Sequence, residues 1–263
     1  VLTTLLCFNL EPIFMVLIGV GFFLAYLIAI VLLFFLIWEL LVLNGKKNVE
    51  HKYSKYYRTI LLVMGRICFS VFNISIKKEG VELLDNLKGI NFMLVCNHRT
   101  NFDSLIIDSY LKNIPLIFAA KKSIYKIPFV GKTTAGVGYY FLDRKDIQQQ
   151  VEVVQKATQT LVSTSTSFGI FPEGTRNKEH IGLLPFKNGC FKTAYDSKKP
   201  IVVSTIRYKK PFEKLPIFKF HKAWYRIIKV IPYDEYKDIP VHVLSEQIHE
   251  MMEKDLQEHS LKK

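Results

Sequence analysis

In the stretch CNHRTNFD, residues 96–103, His98 and Asp103 stand five residues apart between the apolar run INFMLV and the helix-like SLIIDSYL. A histidine is a suitable general base near neutral pH, worth roughly 10²- to 10⁴-fold in rate. A carboxylate beside it fixes the imidazole tautomer and stabilises the imidazolium that forms. Three other stretches carry complementary groups: Lys121 and Lys122 after PLIFAA, Asp143 and Arg144 after GYYFL, and Pro172, Glu173, Gly174, Thr175 and Arg176 after SFGIF. Lys121, Arg144 and Arg176 would offer fixed positive charge to a phosphate, which arginine holds bidentately and lysine as a point charge. The backbone of Gly174 and Thr175 leaves room for a bound anion. Each cluster also has an ordinary structural reading: Thr100 and Asp103 as a helix cap, the lysines as solvated charge, Asp143 and Arg144 as a turn ion pair, and PEG as a common turn. Those readings are independent of one another, whereas one site accounts for all four clusters together.

A single site requires elements that bring four distant segments to one place. Beyond residue 75 short β-rich runs alternate with helical stretches, and candidate strands lie at 90–96, 115–120, 138–142, 167–171, 200–208 and 224–231. Between them, residues 146–162 put Ile147, Val151, Val154, Ala157 and Leu161 on one helical face. Residues 243–258 do the same with Leu244, Ile248, Met251, Met252 and Leu256. The pattern predicts an α/β fold, a mixed central sheet flanked by helices, with each polar cluster in a loop leaving a strand. Sites in such sheets gather at the carboxyl ends of the strands.

Lys and Arg number 36 against 23 Asp and Glu, a net charge of +13, which favours anionic partners without separating nucleic acid from lipid or a phosphorylated small molecule. Residues 13–38 contain no charge, and about 26 helical residues at ~1.5 Å each exceed a bilayer core of about 30 Å. Lys46, Lys47, Lys52, Lys55 and Arg58 come after this run and only Glu11 precedes it, so the positive-inside rule places the chain beyond residue 45 in the cytoplasm. The apolar stretch 58–72, with basic residues spaced along it, reads as a second helix in the membrane interface. The expected division is therefore an N-terminal membrane-anchoring helical segment, 1–75, and an α/β domain, 76–263. A simple span and a re-entrant hairpin both fit the first of these. Cys7, Cys68, Cys96 and Cys190 are scattered among apolar neighbours and read as reduced thiols, with no metal-ligand spacing.

The motifs NHRTNFD, KKSIYKIPFVG, YYFLDRKD, FPEGTR and PFKNGCFKTA, in this order over residues 97–194, resemble the acyltransferases that convert 1-acyl-glycerol-3-phosphate (lysophosphatidate) to phosphatidate. The resemblance implies that His98 activates the free glycerol hydroxyl and that Asp103 orients it. It also implies that Lys121, Arg144 and Arg176 bind the acceptor phosphate, and that Glu173, Gly174 and Thr175 shape the same pocket. The acyl group would come directly from coenzyme A or acyl carrier protein, with no cofactor and no metal. The implied partners are lysophosphatidate, anionic phospholipids and an acyl carrier protein, with the catalytic domain on the cytoplasmic face. Glycerol-3-phosphate or another lysophospholipid is the alternative acceptor, since all present a phosphate and a hydroxyl. Two positions depart from the family pattern: Ile124 where leucine is frequent, and Ser204 where the last motif often has proline.

The basic and aromatic run 207–229 has the composition of a nucleic-acid surface. The anchor and the motifs argue instead for a solvated edge hairpin, or for a patch that meets anionic lipid headgroups or acyl carrier protein. A hydrolase using Ser104 lacks the GxSxG setting, and a non-catalytic lipid-binding module would have no use for His98.

Overall fold

The computed structural model describes residues 2–44, 52–179, 182–209 and 220–260. It divides into two compact units, Val1–Lys47 and Asn48–Lys263. In the first, helix α1 runs unbroken over Leu2–Asn44, and its apolar stretch Pro12–Leu36 is a candidate membrane span. The large apolar side chains from Ile13 to Leu36 are exposed around the whole helix. A helix apolar on every side and buried on none matches lipid, not a protein core. Lys46 and Lys47 lie outside the described residues.

The second unit is built on a seven-stranded sheet among the described residues, in the order β1-β7-β6-β2-β5-β3-β4. The strands are β1 Ile74–Glu79, β2 Met93–Cys96, β3 Leu116–Lys121, β4 Tyr140–Leu142, β5 Ser167–Ile170, β6 Ile201–Tyr208 and β7 His221–Ile231. All neighbours run parallel except β6 and β7, so the sheet is mixed as expected. Met93, Leu94, Val95, Leu116, Ile117, Val202 and Val203 are wholly buried, which is why the central strands read as continuous apolar runs rather than alternating ones. The polar sequence ISIKKE gave no strand signal, yet it forms β1 by pairing with β7. The β6–β7 hairpin is therefore not an edge, because β1 covers it. Residues 210–219 of the basic run lie outside the described residues.

Helices α3 Asp103–Tyr110, α4 Val130–Val137, α5 Ile147–Ser163, α6 Lys192–Ser197, α7 Tyr233–Tyr236 and α8 Val241–Ser260 complete the second unit, together with α2, Lys55–Val71. Asp146 caps α5 by accepting the Gln149 N–H at 3.1 Å, and the Gln149 amide reaches back to its carboxylate at 2.7 Å. Both bonds are donated by Gln149 to the one carboxylate, which satisfies an otherwise unpaired amide of the first helical turn. Although the sequence groups α2 with the anchor, the contacts place it in the second unit, where Arg58, Leu61, Gly65 and Phe69 form its buried face. Arg58, 1% exposed, pairs with the buried Asp108 of α3 and donates to the carbonyls of Leu116, at 2.9 Å, and Leu111, at 3.3 Å. Tyr139 donates to the same carboxylate at 2.5 Å. Burial pushes the Asp108 carboxyl upward, and Arg58 and Tyr139 act against that push. On the other side of α2, Tyr56, Val63, Ile67 and Val71 are exposed.

Candidate active site

Strand β2 ends at Cys96, and the chain then turns through Asn97–Phe102 into α3. The Asn97 side chain extends the sheet by one step: its amide donates to Ile206 O at 2.9 Å and its oxygen accepts from Ile206 N at 2.7 Å. This clamp fixes the backbone immediately before His98. The His98 Nδ1 lies 2.8 Å from Asp103 Oδ2, and the carboxylate is fully buried while the imidazole is 9% exposed. Asp103 Oδ2 also accepts from the amides of Arg99, at 2.6 Å, and Thr100, at 2.8 Å. Its Oδ1 accepts from Thr100 Oγ1 at 2.7 Å and from the Tyr208 hydroxyl. A carboxylate so surrounded by donors cannot turn, so Nδ1 carries the proton that it donates and Nε2 is left as the acceptor. Among the described residues nothing hydrogen-bonds to Nε2. The ring lies flat on Phe171, with centroids 4.2 Å apart at 14°, and Phe171 stacks in turn on Phe118.

The capping expectation needs correction. The residue that begins α3 is Phe102, with no side-chain cap, while the Thr100 hydroxyl accepts the Phe102 N–H at 3.1 Å and gives its own proton to Asp103. Thr100 thus shapes the turn rather than the helix end, because its hydroxyl oxygen accepts the Phe102 N–H inside the turn while its proton goes to Asp103.

Glu173, 3% exposed, spends both oxygens on backbone: the His98 N–H at 2.7 Å and the Leu184 N–H at 3.0 Å. Burial raises its pKa, with the two amides and Arg99 pulling it back down. The carbonyl of His98 accepts from Asn177 N at 2.8 Å, so the FPEGTR loop grips the histidine backbone from both sides. Gly174 has φ +66, a left-handed conformation open to glycine, and a Cβ there would come within 2.7 Å of the Lys187 side chain. Thr175 is exposed and Arg176 partly buried.

A cleft of about 490 Å³ is lined by Phe171, on which the His98 ring stacks, although neither His98 nor Asp103 lines it. One wall is apolar, formed by Val151 and Val154 of α5 with Ile170 and Phe171, while Arg144, Gly174 and Lys187 line it as well. Burial lowers the Arg144 pKa, and the Arg176 cation, which does not itself line the cleft, lowers it further. Lys121, by contrast, is exposed at the end of β3, opposite Leu142 in the register, and does not line the cleft. Ser204 uses its hydroxyl within the sheet, donating to Val95 O at 3.0 Å, so its departure from proline closes a β2–β6 contact and leaves the cleft unchanged. Sequence reasoning missed Tyr208, Phe171 and Lys187. Phe171 and Lys187 carried a local signal, standing in the quoted stretches FPEGTR and PFKNGCFKTA, and Tyr208 carried none.

Such an arrangement can take a proton from a hydroxyl at Nε2, hold an anion by the arginines and lodge an alkyl chain on the apolar wall. The acyltransferase family model matches residues 75–208, just over half of the chain. The 1-acyl-sn-glycerol-3-phosphate acyltransferase of Saccharomyces cerevisiae is 30% identical over 148 residues, 56% of this chain and 45% of the yeast protein. The protein of the same description from Haemophilus influenzae is 31% identical over 162 residues, 62% of this chain and 67% of that protein. The chain therefore spans under half of the yeast protein's length and about two thirds of the bacterial one. Among solved structures, the 1-acyl-sn-glycerophosphate (LPA) acyltransferase PlsC of Thermotoga maritima superimposes with a TM-score of 0.63 at 22% identity, covering 79% of this chain and 81% of that one. At that identity the likeness concerns the fold.

Proposed function

Since the chain belongs to the acyltransferase family, we propose that it moves a fatty acyl group from a thioester, acyl coenzyme A or acyl carrier protein, to the 2-hydroxyl of 1-acyl-glycerol-3-phosphate, giving phosphatidate for phospholipid synthesis. The observation that carries this reading is the buried His98–Asp103 pair, its imidazole ring stacked on Phe171, which in turn lines a cleft carrying apolar side chains together with Arg144 and Lys187. His98 Nε2 takes the hydroxyl proton as the oxygen attacks the thioester carbonyl carbon. Asp103 stabilises the imidazolium, whose fixed orientation removes a reorganisation cost from the step. The tetrahedral intermediate collapses by breaking the carbon–sulfur bond, and the imidazolium proton goes to the leaving thiolate. No acyl-enzyme, cofactor or metal enters the scheme. Arg144 and Arg176 hold the acceptor phosphate, and Lys121, exposed outside the cleft, adds positive charge at the same carboxyl ends of the strands. Glu173 acts through the His98 backbone, while Gly174 and Thr175 shape the turn beside the phosphate.

The relatives' descriptions support the acceptor, and the basic residues following α1 support a catalytic unit on the cytoplasmic side of the membrane, in contact with anionic lipid. The test is a panel on the purified protein: acyl coenzyme A against acyl carrier protein, and lysophosphatidate against glycerol-3-phosphate and other lysophospholipids. Lysophosphatidate should be the preferred acceptor, and His98→Ala should abolish transfer while the protein stays folded. Substantial transfer by the variant would rule out the mechanism.

A further inference from the structure

We propose that Lys187 is a further binding residue for the acceptor's phosphate monoester, completing a three-cation cradle with Arg144 and Arg176. The proposal rests on the acceptor reading above. Its first support is the turn at Gly174, where a Cβ would lie 2.7 Å from Lys187 Cε and 3.1 Å from Nζ. The ammonium therefore crosses the backbone of the residue next to Glu173, whose carboxylate holds the His98 amide. A second support is anchorage: Lys187 N donates to Pro172 O at 2.8 Å and its carbonyl accepts from Cys190 N at 3.2 Å, so its backbone is tied to the same turn.

The third support is charge. Arg144 and Lys187 line one cleft, among the described residues neither has an ion-pair partner, and Arg176, outside that lining, adds a cation whose field lowers the Arg144 pKa. The one carboxylate lining the cleft, Asp196, sits on α6 one turn after Lys192, which also lines it and carries the opposite charge. Cations gathered at a partly desolvated site repel one another unless an anion joins them, and a phosphate monoester carries more charge per group than a diester. Lysine adds a point charge on a flexible stem where the arginines add planar forks.

Phosphate also occurs in the nucleotide of coenzyme A, so the experiment separates the two sources. Lys187→Met and Lys187→Arg are assayed in the full chain with lysophosphatidate and with monoacylglycerol of the same chain length. Each is run with acyl coenzyme A and with an acyl N-acetylcysteamine thioester that lacks the nucleotide. Lys187→Met should raise the lysophosphatidate KM about tenfold with kcat nearly unchanged, leave monoacylglycerol transfer and both donor KM values as they were, and be largely recovered in Lys187→Arg. An unchanged acceptor KM overturns the proposal. So does an equal loss on monoacylglycerol, which would mean a structural role, or a rise confined to the KM of acyl coenzyme A, which would assign the lysine to the donor. Calorimetric titration with glycerol-3-phosphate reads the lysine independently of turnover: about tenfold weaker binding by Lys187→Met is expected, and equal binding overturns the proposal. Failure of the wild type to use lysophosphatidate would count against the acceptor reading, with this titration still deciding the role of Lys187.

Discussion

Besides His98, the Asp103 carboxylate takes donors from Arg99, Thr100 and Tyr208, so its effect on the imidazole is set by three groups with no chemistry of their own. Asp103→Asn keeps the volume but offers one acceptor oxygen and an unwanted donor, and kcat should fall on the order of 10²-fold or more in steady-state kinetics. Tyr208→Phe removes a single donor. Its kcat should fall about severalfold to tenfold with the acceptor KM unchanged, whereas a purely structural tyrosine would show only a lower melting temperature. The His98–Asp103 pair was legible because its two members are five residues apart. Tyr208 was not, since it reaches Asp103 across 105 residues through the pairing of β2 and β6, which no local pattern encodes. Glu173 has a pH signature. Its folded pKa is raised, so its contribution to stability is fully present below the unfolded carboxylate value of about 4.3 and is lost as the pH rises through the folded value. Melting curves of the wild type and Glu173→Gln across that range should show the wild type losing ground to the variant as pH rises.

Among the elements, α2 is the one whose sequence misleads. An apolar stretch with spaced basic residues has the composition of an interfacial helix, and composition cannot say that one of those basic residues, Arg58, is buried on a carboxylate 50 residues away. The polar β1 was illegible for a related reason: its strand state comes from the hydrogen bonds of β7 rather than from its own side chains. The central strands and the bounds of α5 were legible nearly to their ends, but its inward face was legible only in its second half: Ala157 and Leu161 are buried, whereas Ile147 and Val151 are exposed and Val153 is buried instead. Arg58→Met should cost about 3–5 kcal/mol in urea unfolding of the second unit, because the buried Asp108 loses its cationic partner and keeps only the Tyr139 hydroxyl. Replacing both residues with apolar ones of similar volume should recover much of that loss.

For the molecule as a whole, the boundary between units decides which pieces can stand alone. A chain starting at residue 48 keeps α2, the Arg58–Asp108 pair and the whole sheet, and should unfold in one cooperative transition by circular dichroism. A chain starting at residue 76 loses the Leu61 and Phe69 packing as well as Arg58 and should aggregate. The first fragment should still acylate a short-chain, water-soluble acceptor while losing activity on acceptor embedded in vesicles.

The reversal of strand direction between β6 and β7 sorts the connections of the sheet by edge. The loops that carry His98, Lys121, Arg144 and Glu173 leave one edge, and the amino ends of β7 and β1 enter there. The turns at Gly80, Thr164–Thr166, Lys198–Pro200 and Pro232 all lie at the other. Peptide tags, fluorophores or whole reporter domains spliced into that second set would stand a full strand length from the chemistry. The second unit thus offers an attachment side for immobilisation or imaging, with the exposed Lys198 and Pro232 its most open points.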